Sequence, residues 1–184
     1  MRRFLLFSSM LILSTSVYAQ KMEVEISYGA PSIYGVSEEI MGSIVSALSS
    51  SDYSNSSNGI LNVAVARFND VMKWRYGVEF GSEFFSTSGK LTSLNYYSIS
   101  PKIDYFWSPP ENKLRFYSGI STGVVLRASK YYDQNTSSEE SETDTVLGLN
   151  FTPLGIRYGE DFAVFLDGNA GNKAIVQLGI NYAF

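Results

Sequence analysis

The chain has 184 residues, a length for one domain. It contains no Cys and no His, which excludes disulfides, thiolate metal sites, a lipid-anchoring lipobox and histidine acid–base chemistry. Charged residues are only 17%, below the ~25% of ordinary soluble domains, and the formal net charge of −4 argues against nucleic acid as a partner.

Arg2 and Arg3 precede an apolar run from Phe4 to Leu13, and Val17-Tyr18-Ala19 supplies small residues at the −3 and −1 positions. This is the pattern of a secretory signal peptide cut between Ala19 and Gln20. The expected organisation is a signal peptide over residues 1–19 and one domain over residues 20–184. Losing the two arginines moves the net charge from −4 to −6. No later stretch reaches the 18 consecutive apolar residues of a spanning helix.

The mature chain then alternates. Met22, Val24, Ile26 and Tyr28 oppose Glu23, Glu25 and Ser27, the period of a two-faced strand. Val36, Ile40, Met41, Ile44, Val45 and Leu48 recur at helical spacing, and Ser37 before Glu38-Glu39 suggests an N-cap. A short amphipathic helix is expected over residues 37–48, followed by a polar loop to residue 58. Period two returns at Leu61-Val63-Val65 and, after an Asn69-Asp70 turn, at Trp74-Tyr76-Val78-Phe80-Phe84. A turn over residues 87–90 leads to a strand carrying Tyr97, Ile99, Ile103, Tyr105 and Trp107. Pro109-Pro110 stops it. The fifth strand sets Leu114, Phe116, Ile120, Val124 and Leu126 against Arg115, Tyr117 and Arg127.

Residues 129–143 read as a polar, acidic loop, with a faint echo of a calcium loop that has Ser138 where Gly belongs. The sixth strand changes phase near Pro153, which points to a bulge. Phe162, Val164 and Leu166 open a seventh. The last strand, residues 173–184, alternates Ala174, Val176, Leu178, Ile180, Tyr182 and Phe184 with Ile175, Gln177, Gly179, Asn181 and Ala183.

The apolar phase holds too many rings to fit inside a small barrel, whose interior is just wide enough for ordinary side chains. The other phase is small and sparsely charged. Turning the barrel inside out removes both difficulties. The rings then face lipid, and a narrow lumen contains Glu23, Glu25, Arg75, Glu79, Glu83, Lys102, Asp104, Arg115, Arg127 and Asp167. Arg67 and Arg157 come closest to placing charge in the lipid-facing phase, both near strand ends. An aromatic girdle is expected from Trp74, Tyr76, Tyr105, Trp107, Tyr182 and Phe184. The expected fold is all-β: an eight-stranded antiparallel up-and-down transmembrane barrel with one helix in its first external loop.

Residues 152–159, Thr-Pro-Leu-Gly-Ile-Arg-Tyr-Gly, and 177–184, Gln-Leu-Gly-Ile-Asn-Tyr-Ala-Phe, carry a resemblance. The chain resembles the small eight-stranded outer-membrane barrels of Gram-negative bacteria, the OmpA/OmpX/OmpW-like class, and within it a group of small barrels of mostly unassigned function. The resemblance implies an outer-membrane location after export. It also implies contact with membrane lipid and lipopolysaccharide, and a terminal strand whose Ile180, Tyr182 and Phe184 are read by the barrel-assembly machinery. Enzymes of this class that modify lipid A would require a catalytic His, and there is none. No catalytic, metal or cofactor site is expected.

The lumenal charges read as cross-strand ion pairs filling the barrel. Function is then expected outside the lumen: a structural or surface-interaction role through the long loops. Ile40, Ile44 and Leu48 are the candidate contacts with an unidentified surface partner, and the barrel itself is expected to be a monomer. The alternatives are a narrow small-solute channel and a soluble lipocalin-like periplasmic carrier of an apolar ligand. The helix itself is expected to cap the barrel mouth or lie at the membrane interface with its apolar stripe.

Overall fold

A computed structural model describes residues 21–49, 55–88, 91–133 and 138–184. The expected signal peptide and its cleavage site lie outside these residues, as do parts of three expected loops: residues 50–54, 89–90 and 134–137.

Eight strands follow one another: β1 (Met22–Gly29), β2 (Asn55–Phe68), β3 (Trp74–Thr87), β4 (Leu91–Phe106), β5 (Leu114–Asp133), β6 (Ser138–Gly159), β7 (Phe162–Gly171) and β8 (Val176–Ala183). Each pairs antiparallel with its neighbours in chain order, and β8 pairs with β1 to close a barrel. Helix α1 (Ile33–Ser49) lies between β1 and β2. The up-and-down path puts both termini at one end of the barrel, here the lower end, and α1 at the upper end. At the seam, Met22 N donates to Phe184 O (3.0 Å) and Phe184 N donates to Met22 O (2.8 Å).

Period two decides which side chains face where. In β8, Val176, Leu178, Ile180 and Tyr182 are exposed on the wall, while Gln177, Asn181 and Ala183 are buried in the lumen. The same alternation runs round the ring. Every peptide group of a closed barrel finds a partner, which is why this topology survives in lipid. The expected phase change in β6 is a bulge: the register with β7 shifts between Phe151 and Leu154, around Pro153. A second bulge in β2, between Ser57 and Ile60, holds Gly59 at φ 93°, a left-handed conformation that glycine adopts without steric penalty.

Four expectations need correction. The polar stretch over residues 129–143 is largely strand, because β5 and β6 continue upward as a hairpin. Above Asn150, β6 pairs with β5 alone among the described residues. Its exposed edge carries Glu139, Glu140, Glu142 and Asp144, and charge on a free edge discourages pairing with other chains. The last strand is shorter than expected: Lys173, Ala174 and Ile175 belong to the β7–β8 connection, and Ala174 points inward.

The helix starts earlier as well. Ser32 is its N-cap, its Oγ accepting from Gly35 N at 2.9 Å. Ser37 sits inside the helix and bonds back to Ile33 O. The fourth correction concerns the face that α1 presents. Ser32, Gly35 and Gly42 are buried against the barrel. Ile33, Ile40, Met41, Ile44 and Leu48 point away from it, and Leu48 is 83% exposed. The helix does cap the mouth, but with its polar side.

Candidate functional site in the lumen and at its two mouths

The lumen is stratified. Inward positions on β1, β3 and β4 bring Glu23, Glu25, Arg75, Lys102 and Asp104 together, all nearly sealed from water. Arg75 is the hub. Its Nη1 lies 2.6 Å from Glu23 Oε1 and 2.5 Å from Glu25 Oε1, and its Nη2 lies 2.8 Å from Asp104 Oδ2. Lys102 Nζ closes the cluster at 2.7 Å from Glu25 and 3.4 Å from Asp104. The β3–β4 register sets Arg75 directly opposite Asp104, and the β1–β2–β3 registers bring Glu25 level with Glu79 through Ala64. Taking such charges out of water is expensive, and only close multiple pairing offsets that cost.

Two basic residues of this layer escaped the sequence pattern. Arg157 lies inward, correcting its expected approach to the lipid face, and bonds Glu23 at 3.1 Å. Its side depends on where the β6 bulge falls. Lys173 reaches in from the β7–β8 connection and pairs with Glu79 at 2.6 Å; a turn residue has no period to reveal it. Among the described residues, no base lies within ion-pair reach of Asp167. It accepts from Tyr117 Oη and, at 2.9 Å, from Gln177 Nε2, while Gln177 accepts from Asn62 Nδ2 at 3.0 Å.

The upper mouth is closed. Glu83, expected to pair with lumenal arginines, instead accepts from Ser32 N (3.1 Å), Ser32 Oγ (2.6 Å) and Ser57 Oγ (2.6 Å). Arg127, also expected within the lumenal network, is tied to α1: its Nε lies 2.9 Å from Glu38 Oε1, and Asp144 is 3.6 Å from its Nη1. Beneath the helix, Leu91, Leu94, Tyr96 and Val125 form an apolar layer, and Tyr34 of α1 packs on it. The cavity beside Glu83 and Tyr96 measures about 10 Å³, room for a single water centre.

The lower mouth is built differently. Phe68, Phe106 and Tyr117 point inward and pack together with Met72. The Arg115 guanidinium rests on Phe106 at 4.1 Å from the ring centroid, and Arg75 approaches the same ring at 5.2 Å. Arg115 makes none of the ion pairs expected of it among the described residues. Outside it, Lys21 bonds Asp161 at 2.5 Å and holds that carboxyl below its ordinary value. Lys113 lies 3.1 Å from Glu160.

On the outer wall, Trp74, Tyr76, Tyr105, Trp107, Tyr182 and Phe184 all face away from the lumen near the lower end. Trp74 lies 4.8 Å from Tyr105, which lies 5.0 Å from Trp107, a continuous aromatic patch across β3 and β4.

Apolar wall, charged lumen and closed ring together define a β-barrel of the membrane-spanning type. No protein-family profile matches the chain, and no curated protein matches it. Among solved structures, it is similar to the N-terminal β-barrel domain of Pseudomonas aeruginosa OprF, with a TM-score of 0.51 and 12% identity over 89% of this chain and 97% of that one. It is equally similar to Neisserial surface protein A, with a TM-score of 0.51 and 11% identity over 90% of this chain and 97% of that one. At that identity the likeness speaks to the fold alone: the chain has the architecture of the small eight-stranded outer-membrane barrels.

Proposed function

We propose that this protein is a non-enzymatic barrel of the Gram-negative outer membrane that conducts no solute and works through its external surfaces. In this reading the lower end faces the periplasm, and α1 and the β5–β6 hairpin face outward. The carrying observation is the lumenal cluster in which Arg75 joins Glu23, Glu25 and Asp104 with almost no water-accessible surface. Eight strands leave an interior that side chains fill, and this one is filled by interlocked charges. The apolar wall supports a lipid environment, and the lower aromatic patch supports an interface there. The lack of His removes the usual general base.

Interaction then falls to the upper end, where Ile40, Ile44 and Leu48 stand free of the barrel. The terminal Ile180, Tyr182 and Phe184 serve assembly, so deleting Phe184 lowers the amount of inserted protein. The main test is recording from planar bilayers, coupled to fractionation and a heat-modifiable gel shift. Outer-membrane fractionation with no steady conductance is expected. Conductance that changes in Glu79→Gln would instead make the lumen a pathway, and a freely soluble product would end the membrane reading.

A further inference from the structure

Arg115 and Arg157 are register partners on β5 and β6, and both point into the lower mouth. Like charges placed directly opposite across a strand pair repel one another. Arg157 is compensated: its Nη2 bonds Glu23 and the Glu160 carbonyl (2.7 Å), and its Nη1 donates to the Gly159 carbonyl (3.0 Å). Arg115 is not. Among the described residues no carboxylate lies within 4.0 Å of it, and residues 1–20 contain no Asp or Glu. Among the described residues its sole hydrogen-bond acceptor is the carbonyl of Met72, a residue with a left-handed backbone at φ 55°, uncommon for a residue other than glycine. Its other contacts are the faces of Phe106 and Phe68.

Arg115 offers five donors and finds one protein acceptor among the described residues, and Nε of both arginines has no hydrogen-bond partner there. Beside them lies a cavity of about 320 Å³. Its floor includes Arg115, Arg157, Phe68 and Met72, and its rim carries Glu111, Glu160 and Asp161. Asp161 and Glu160 are engaged by Lys21 and Lys113.

We propose that this lower-mouth cavity binds a small carboxylate, with Arg115 as the anchoring cation. Among the described residues Arg115 has no carboxylate in ion-pair reach, which suits a ligand with a single negative charge. The planar fork of a guanidinium matches a carboxylate in two parallel hydrogen bonds. A phosphate dianion would carry excess charge past three rim carboxylates. Met72 and Phe68 offer an apolar wall to whatever bears the carboxylate. The site requires only the barrel; that it opens to the periplasm rests on the orientation proposed above.

The mature chain has three methionines, Met22, Met41 and Met72, of which Met72 lines the cavity and Met41 lies on the far side of α1. Refolded protein carrying 13C-methyl methionine is titrated with acetate, alanyl-alanine and inorganic phosphate at constant ionic strength. A saturable Met72 shift with millimolar acetate, with Met41 unmoved, is expected. Phosphate should bind more weakly. Equal affinity for acetate and dipeptide assigns free small acids as ligands, whereas tighter dipeptide binding assigns a peptide C-terminus.

Arg115→Gln should weaken binding at least tenfold, and Arg115→Lys, which keeps the charge but loses the fork, several-fold; unchanged Met22 and Met41 signals certify the fold of each. No saturable shift overturns the proposal. So does binding that survives in both variants, and tighter phosphate binding overturns the carboxylate assignment. A response that emerges only in Glu111→Gln would show that Glu111 already fills the site, and would overturn it as well.

Discussion

The wall and the lumen of this barrel obey opposite rules. On the wall, neighbouring apolar side chains are interchangeable, and what matters is that none is charged at mid-height. In the lumen, identity matters residue by residue: Arg75 has three carboxylate partners that no other side chain could serve at once. A wall is specified by pattern, a lumen by partners. The apolar phase could therefore be read from the sequence as a whole, while the lumenal pairs depended on registers that a sequence does not state.

Four substitutions break or sharpen that contrast. Arg75→Met should have the largest effect, because it leaves Glu23, Glu25 and Asp104 facing one another. A loss of about 3–5 kcal/mol is expected in urea titrations of vesicle-embedded protein. If less than about 1 kcal/mol is lost, water already reaches the cluster. Ile120→Arg places a charge on the wall well away from either mouth and should cost about 2–4 kcal/mol in lipid, with Ile120→Leu close to neutral. A tolerated Arg would mean the wall does not face hydrocarbon.

Lys173→Met orphans Glu79 and should cost about 1.5–3 kcal/mol; adding Glu79→Gln should recover much of that, and a double-mutant cycle measures the coupling. Additive losses would reduce the pair to mere proximity. The smallest effect is expected from Leu48→Ser on the free face of α1, within about 0.5 kcal/mol of the parent. A larger loss would show that this face is already covered.

Much of the ring was legible because one face of each strand meets lipid and the other meets charge, so period two never blurs at mid-height. It blurs wherever both faces are wet. The upper part of β6 is exposed on both sides, and upper β5 carries polar Ser129 on its buried face, so this hairpin reads as loop. The start of α1 was misplaced because Ser37 followed by two acids imitates a cap, whereas the true cap, Ser32, is chosen by its tertiary bonds to Glu83. Arg157 was misassigned because one extra residue at the β6 bulge inverts everything after it. Arg127 and Glu83 lay on the expected side but answered to α1, a partner no strand pattern could indicate. The unpaired state of Arg115 was likewise hidden, since counting lumenal acids and bases cannot say which of them meet.

The seam between Met22 and Phe184 has a temporal consequence. It joins β1 and β8, the two strands of the ring that pair without following one another in the chain. Until β8 arrives, β1 and β7 each present a row of unpaired peptide groups, which hydrocarbon cannot satisfy. No seven-strand intermediate can rest in the bilayer on its own. Insertion and closure must therefore coincide, or something must hold the open edges meanwhile. For this chain the interval before the β1–β8 seam closes is a hazard of biogenesis rather than a detail of topology.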